Sequence, residues 1–167
     1  MKKVAVGVLS IVFLTVFANV SFAAEKMGFV DLSRLFDEYN KTKDYDKVLE
    51  GKQKSYETEK EKKLNEIKQL QDKTSLLNEK EKESKKGEID DKIRLYQDFE
   101  RVRTTDLRKE RDDKMREILK DIEKAVSEYA KGNGHTLVFN DRVLVYQDKA
   151  LDITEGSLSI LQGYYKK

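Results

Sequence analysis

The chain has 167 residues, 40% of them charged and only 38% apolar, which fits one domain by length but leaves too little apolar material for a conventional globular core. Thirty-four Lys and Arg stand against 32 Asp and Glu, and loss of a leader carrying Lys2 and Lys3 would balance them, so a global attraction to nucleic acid is not expected. The lack of cysteine excludes a disulfide framework and a thiolate metal site, and the lack of proline suits long unbroken helices.

Residues 1–23, MKKVAVGVLSIVFLTVFANVSFA, combine a basic start, an apolar run from Val4 to Val20 and small residues at Ser21 and Ala23. This is the pattern of a secretory signal peptide cleaved after Ala23, with an uncleaved membrane anchor as the competing reading. No cysteine follows that could carry a lipid.

Residues 27–31 predict a short strand, in which Gly28 points to a close backbone approach. Leu32, Leu35, Phe36 and Tyr39 follow at spacings of three and four, one face of a short helix. From residue 41 to 131 the rhythm is helical and strongly polar. Leu49, Tyr56, Lys63, Leu70 and Leu77 form one heptad series, with Gln53, Lys60, Ile67 and Thr74 beside it. Further on, Ile89, Ile93, Tyr96, Phe99 and Val102 make a second seam, and Met115, Leu119, Ile122, Val126 and Tyr129 a third. Between these two lies RKERDDK, without an apolar residue. The stretch ESKKGEIDD, with Gly87 followed by Glu88, Asp90 and Asp91, predicts a break and a new helix start, hence an antiparallel hairpin with its tip near residues 84–88. That fold-back sets Leu49 and Tyr56 opposite Ile122 and Met115, and leaves the middle of the arm to charge pairs. Such arms would extend about 65 Å at ~1.5 Å per residue.

Two nearly continuous apolar β-prone runs, residues 136–139 and 143–146, flank Asn140, Asp141 and Arg142, which predicts a β-hairpin with both faces covered. A helix is expected over residues 154–165. With the strand at 27–31 the sheet is too small to stand alone, so another copy of the same sheet is the economical cover and the body is expected to be an obligate oligomer. The residues assigned to that contact are Phe29, Val30, Leu137, Val138, Phe139, Val143, Leu144, Val145 and Tyr146. The fold class is thus α+β: a long antiparallel helical hairpin at 41–131, inserted in a small β-sheet oligomerisation body made from residues 24–40 and 132–167.

The end blocks MGFVDLSRLFDEY and TLVFNDRVLVYQDKALDIT, flanking a charged helical insert after a signal peptide, resemble the Skp/OmpH family of periplasmic chaperones. The resemblance covers the whole mature chain, and its specific part is the two ends. It implies a homotrimer whose β body projects helical arms around a cavity, holding unfolded outer-membrane β-barrel proteins without ATP. The best-known members are distinctly basic, whereas this mature chain is neutral, so no lipopolysaccharide site is carried over.

Catalytic patterns are thin. GKQKS at Gly51 lacks the glycine spacing of a phosphate loop, the single histidine, His135, excludes a multi-histidine metal centre and is expected in a loop, and Asp112 and Asp113 suit a solvated helix face. No enzyme, cofactor or metal is expected. Lys80, Lys82, Lys85 and Lys86 interleave with Glu79, Glu81 and Glu83, a solvated surface with an option of weak membrane-surface contact. Leu64, Leu76 and Ile118 fall off the best seam and are the candidate client-binding residues. A periplasmic holdase is the function these features support, with a structural coiled-coil spacer of the cell envelope as the alternative. A spacer would carry a filled seam throughout.

Overall fold

The structure, a computed structural model, describes residues 25–165, so the predicted leader lies outside the described residues. Strand β1 (Lys26–Val30) leads into helix α1 (Leu32–Glu38) through Asp31, whose carboxylate accepts from the Arg34 N–H at 2.8 Å and caps the helix. After Tyr39 the chain enters α2 (Asn40–Ser75), turns at Leu76, Leu77 and Asn78, and returns along α3 (Glu79–Gly132), a helix of 54 residues. Strand β2 (His135–Asn140) follows, then 3-10 turns at Asp141–Val143 and Lys149–Leu151, and finally α4 (Thr154–Tyr164). The result is a long antiparallel helical hairpin inserted in a small α+β body.

The body's core is set by spacing on α1 and α3. Leu35 and Tyr39 from the first segment meet Ile118, Ile122, Ala125 and Ala130 of α3, with Val30, Ile153, Leu158 and Leu161 completing the cluster. Leu35, Ala125 and Leu161 are completely excluded from solvent. Thr154 stitches the C-terminal segment to β1: its hydroxyl accepts from the Asp31 N–H at 2.9 Å.

The sheet differs from the expected hairpin. β1 and β2 pair in parallel, Met27 with Leu137 through Val30 with Asn140, and residues 143–146 form no strand. Asn140 does turn the chain, but its side chain accepts from the Arg142 N–H at 3.2 Å and starts a 3-10 turn instead of a reversal. The other edge of β1 is taken as well, because the Ile153 N–H donates to the Phe29 carbonyl at 2.9 Å beside a bridge to Asp152. Gly28 sits where the sequence placed a close approach. A Cβ there would meet His135, Ile153 and the Leu151 carbonyl at 3.2 to 3.3 Å.

The arm also turns earlier than expected. Its tip is residues 76–78, not 84–88, and Gly87 lies inside α3 with open space around it. The signal that governs is the cap. The Asn78 side-chain Oδ1 accepts from the Glu81 N–H at 3.0 Å, and Glu79 and Glu81 place acidic charge in the first turn. A solvated glycine inside a long helix costs only about 1 kcal/mol, which 54 residues of helix absorb. Two substitutions discriminate between the turns. Gly87→Ala should stabilise the protein by up to about 1 kcal/mol because it improves a helix interior, and Asn78→Ala should destabilise it by about 1 kcal/mol with faster amide exchange near the tip. Urea titrations and exchange rates check both, and loss of stability in Gly87→Ala would place the turn at Gly87.

Candidate functional site

No group of His, Asp and Glu suited to a metal ion occurs among the described residues, and no described helix is long and apolar enough to cross a membrane. The features with functional potential that the described residues present are the anchorage of the arm, its seam, and apolar groups that the body leaves uncovered.

At the base of the arm, a polar network joins α2 to α3. Lys41 lies 2.6 Å from Glu117 and 2.7 Å from Asp121, and the Tyr39 hydroxyl donates to Asp121 at 3.1 Å. Burial opposes the Lys41 charge, but its bonds to Asp121 and Glu117 outweigh that cost and raise its pKa. Burial, followed by the charge and hydrogen bond of Asp121, pushes Tyr39 up to about 12. Hydrogen bonds from Lys114 and then Lys41 hold Glu117 down at about 2. On the other side of Tyr39, the ring of Tyr165 meets it edge-on at 6.2 Å, so the C-terminal segment closes the anchorage.

Along the arm the expected heptad series does face α3. Ile67 and Thr74 are buried, and Leu49, Tyr56, Lys63 and Leu70 are half-buried. The partners differ because the turn comes earlier. Tyr56 stacks on Phe99, ring centroids 5.8 Å apart, rather than facing Met115. Lys63 and Arg103 lie over the Phe99 ring at 5.0 and 5.8 Å, and Lys60 reaches Glu100 at 3.1 Å. The charge-held stretch exists, nearer the base: Lys52 pairs with Glu110 at 2.5 Å and Arg103 with Glu59 at 3.3 Å.

The body leaves apolar side chains uncovered in two places. Met27 and Leu137, partners in the β1–β2 register, share a face of the sheet and are 44% and 46% exposed. After β2, Val143, Val145 and Tyr146 are exposed, Val145 as fully as in an extended chain. Beside the sheet runs a groove of about 450 Å³, with Leu119, Val126 and Ala130 of α3 on one wall and Leu137, Val138 and Phe139 of β2 on the other.

The residues assigned to oligomerisation thus divide. Phe29 and Val30 are buried within the chain itself, Val138, Phe139 and Leu144 are half-buried, and Leu137, Val143, Val145 and Tyr146 are exposed. Of the candidate client-binding residues, Leu64 is exposed and Leu76 stands 87% exposed at the tip. Ile118 is a correction: at 1% exposure it is a core residue, because α3 turns Ile118, Ile122 and Ala125 toward α1 and α4 while Met115 and Leu119 face outward. The groove itself was not foreseen, although Leu119 and Val126 stand one heptad apart in the sequence.

The chain belongs to the OmpH-like family: the family model for outer membrane protein (OmpH-like) matches residues 26–158. No curated protein matches the chain. Among solved structures, the fold is similar to that of a candidate outer membrane chaperone (OmpH-like) from Caulobacter crescentus CB15, at a TM-score of 0.76 and 13% identity over 87% of this chain and 88% of that one.

The anchorage generates a pH prediction. Because Glu117 is held below its ordinary 4.5, its pairing contributes stability above that pH and loses it as the pH falls toward about 2. Glu117→Gln should lower the melting temperature at neutral pH, and the gap to the wild type should close between about pH 4.5 and 2. Thermal melts across that range check this, and a constant gap would remove Glu117 from the acid response.

Proposed function

We propose that this protein is an ATP-independent periplasmic holdase chaperone that keeps unfolded outer-membrane β-barrel proteins from aggregating, between the arms of a homo-oligomer. Family membership supports a chaperone role in general. The observation that carries the finer reading is the division of labour in the fold: an apolar body with uncovered faces, and a long arm linked by exposed ion pairs that offers only scattered apolar side chains.

Each part has a physical role. The uncovered groups at Met27, Leu137, Val143, Val145 and Tyr146 suit contact with further copies of the chain, which would bring several arms together. Isolated apolar residues on the arms, Leu64 and Leu76 with Val48, Leu95 and Val102, suit many weak contacts with an unfolded chain. Avidity from several arms then gives tight holding while each contact releases quickly, so no nucleotide cycle is required. A leader that directs export agrees with a periplasmic site of action. The basic side chains near the tip are matched by neighbouring acids, so membrane contact there would be weak.

The test is suppression of aggregation. The mature protein should delay aggregation of an outer-membrane β-barrel diluted from urea at near one oligomer per client. Replacing residues 57–105 by a short Asn-Gly turn keeps the Lys52–Glu110 and Lys41–Asp121 pairs and the body, and should preserve the oligomer while abolishing protection. Polar replacement of Leu64 and Leu76 should weaken protection only in part. Failure of the full-length protein to delay aggregation at any ratio would leave the envelope spacer as the reading.

A further inference from the structure

Helices α1 and α2 are separated by a single residue, Tyr39, whose backbone is extended at φ −62° and ψ 124°. An extended residue between two helices interrupts the ladder of helical hydrogen bonds, so α1 ends in carbonyls and α2 begins with N–H groups that lack partners in their own helix. One side chain serves a member of each set. In the last turn of α4, the Gln162 amide donates through Nε2 to the Glu38 carbonyl at 2.8 Å and accepts at Oε1 from the Asn40 N–H at 3.2 Å. Gln162 therefore splints the joint between α1 and α2.

Two tyrosines extend this contact to both limbs of the arm. Tyr164 lies on α3, where its hydroxyl donates to Glu128 at 2.6 Å and the Lys124 ammonium stands 4.5 Å from its ring centroid. Burial, followed by the Glu128 hydrogen bond, pushes Tyr164 up to about 12, so the phenol remains a donor at neutral pH. Tyr165 turns to the other limb. Its hydroxyl donates to Asp44 of α2 at 3.3 Å, and its ring meets Tyr39 edge-on.

The ties of Lys41 to Glu117 and Asp121 and of Tyr39 to Asp121 all reach α3 at two residues one turn apart, so they hold the start of α2 at one place. A helix held at one place can still pivot about it. α1 has no such freedom, because Leu35 is completely buried in the body. We propose that Gln162 and Tyr165 supply the second attachment, a C-terminal latch that fixes the angle at which α2 leaves the body and with it the spacing of the two arm helices. Beyond the latch little resists a change of spacing: cavities of about 310 and 480 Å³ flank Leu107 between α2 and α3, and the Lys52–Glu110 and Arg103–Glu59 pairs are exposed enough to re-form with water. The latch acts within one chain and does not depend on what the arm holds.

The chain has no cysteine, so spin labels on introduced cysteines report without interference. Labelled chains are diluted into unlabelled ones, which leaves only distances within a chain. The pair Asp37→Cys and Lys54→Cys spans the joint, and the pair Asp37→Cys and Lys120→Cys reads how α1 sits on α3; all three positions are exposed. In the otherwise unaltered protein both pairs should give one narrow distance, and a broad distance across the joint there overturns the proposal. Gln162→Ala in a chain ending at Gly163 removes the splint and both tyrosines. It should lose the narrow distance across the joint and keep the one between α1 and α3. An unchanged joint overturns the proposal, and so does broadening of both pairs together, because these contacts would then only support the core. Should that variant fail to fold, amide exchange in the wild type decides: the Asn40 N–H should exchange about tenfold or more slower than a free amide, and exchange at the free rate overturns the latch.

Discussion

The contact on which the structure depends is the one between α1 and the C-terminal third of α3, where Leu35 and Tyr39 close over Ile118, Ile122 and Ala125. The helix that supplies this face is also the longer limb of the arm. With no proline and no break from Glu79 to Gly132, its rotation about its own axis is fixed by the body and carried outward to the tip. α2 then has to pack on whatever face α3 presents. The network of Lys41 with Glu117 and Asp121 sits where that choice is made, at the first turn of α2, and it converts a core contact into a register for the whole hairpin.

Beyond the base, cohesion changes in kind. The cross-helix pairs of Lys52 with Glu110, Arg103 with Glu59 and Lys92 with Glu66 are all substantially exposed, so each contributes at most about 1 kcal/mol and is screened by salt. Apolar contact is concentrated where Tyr56 stacks on Phe99 and where Ile67 is buried. An arm built this way keeps its helices, whose hydrogen bonds are local, while the spacing between them is cheap to change. The body cannot yield in the same manner, because its contacts bury side chains completely.

The parts of this architecture that depend on local periodicity were legible in the sequence. The Leu49, Tyr56, Lys63 and Leu70 series faces inward as its heptads require, and α1 and Gly28 lie where spacing and residue type placed them. The turn was misplaced because a glycine with acids after it competes with an asparagine cap three residues before Glu81, and only the hydrogen bond of Asn78 decides between them. A misplaced turn shifts every cross-helix pair, which is why Tyr56 met Phe99 instead of Met115. Ile118 was misassigned for a different reason: Ala125 is too small to mark a seam by hydropathy, yet together they face α4. For residues 143–146, a continuous apolar run has the same appearance whether its cover lies in its own chain or in another.

That ambiguity has a geometric content. Both edges of β1 are engaged, one by β2 and the other by the backbone at Asp152 and Ile153, so the outer edge of β2 is the strand edge left open in this small sheet. Residues 143–146 come just after β2, beginning in the 3-10 turn at Asp141–Val143, and form no strand with it. On the proposed oligomer reading, each chain therefore carries a donor segment and an acceptor edge that it does not join to each other. Donor and acceptor are different surfaces, so their contact between copies is heterologous, and a heterologous contact gives either an open filament or a closed ring. Ring closure leaves no strand edge exposed and sets every α3 at the same angle to one axis, which is the condition for long arms to enclose a common space. The feature that makes the single chain look unfinished is, on this reading, the same one that aims its arms.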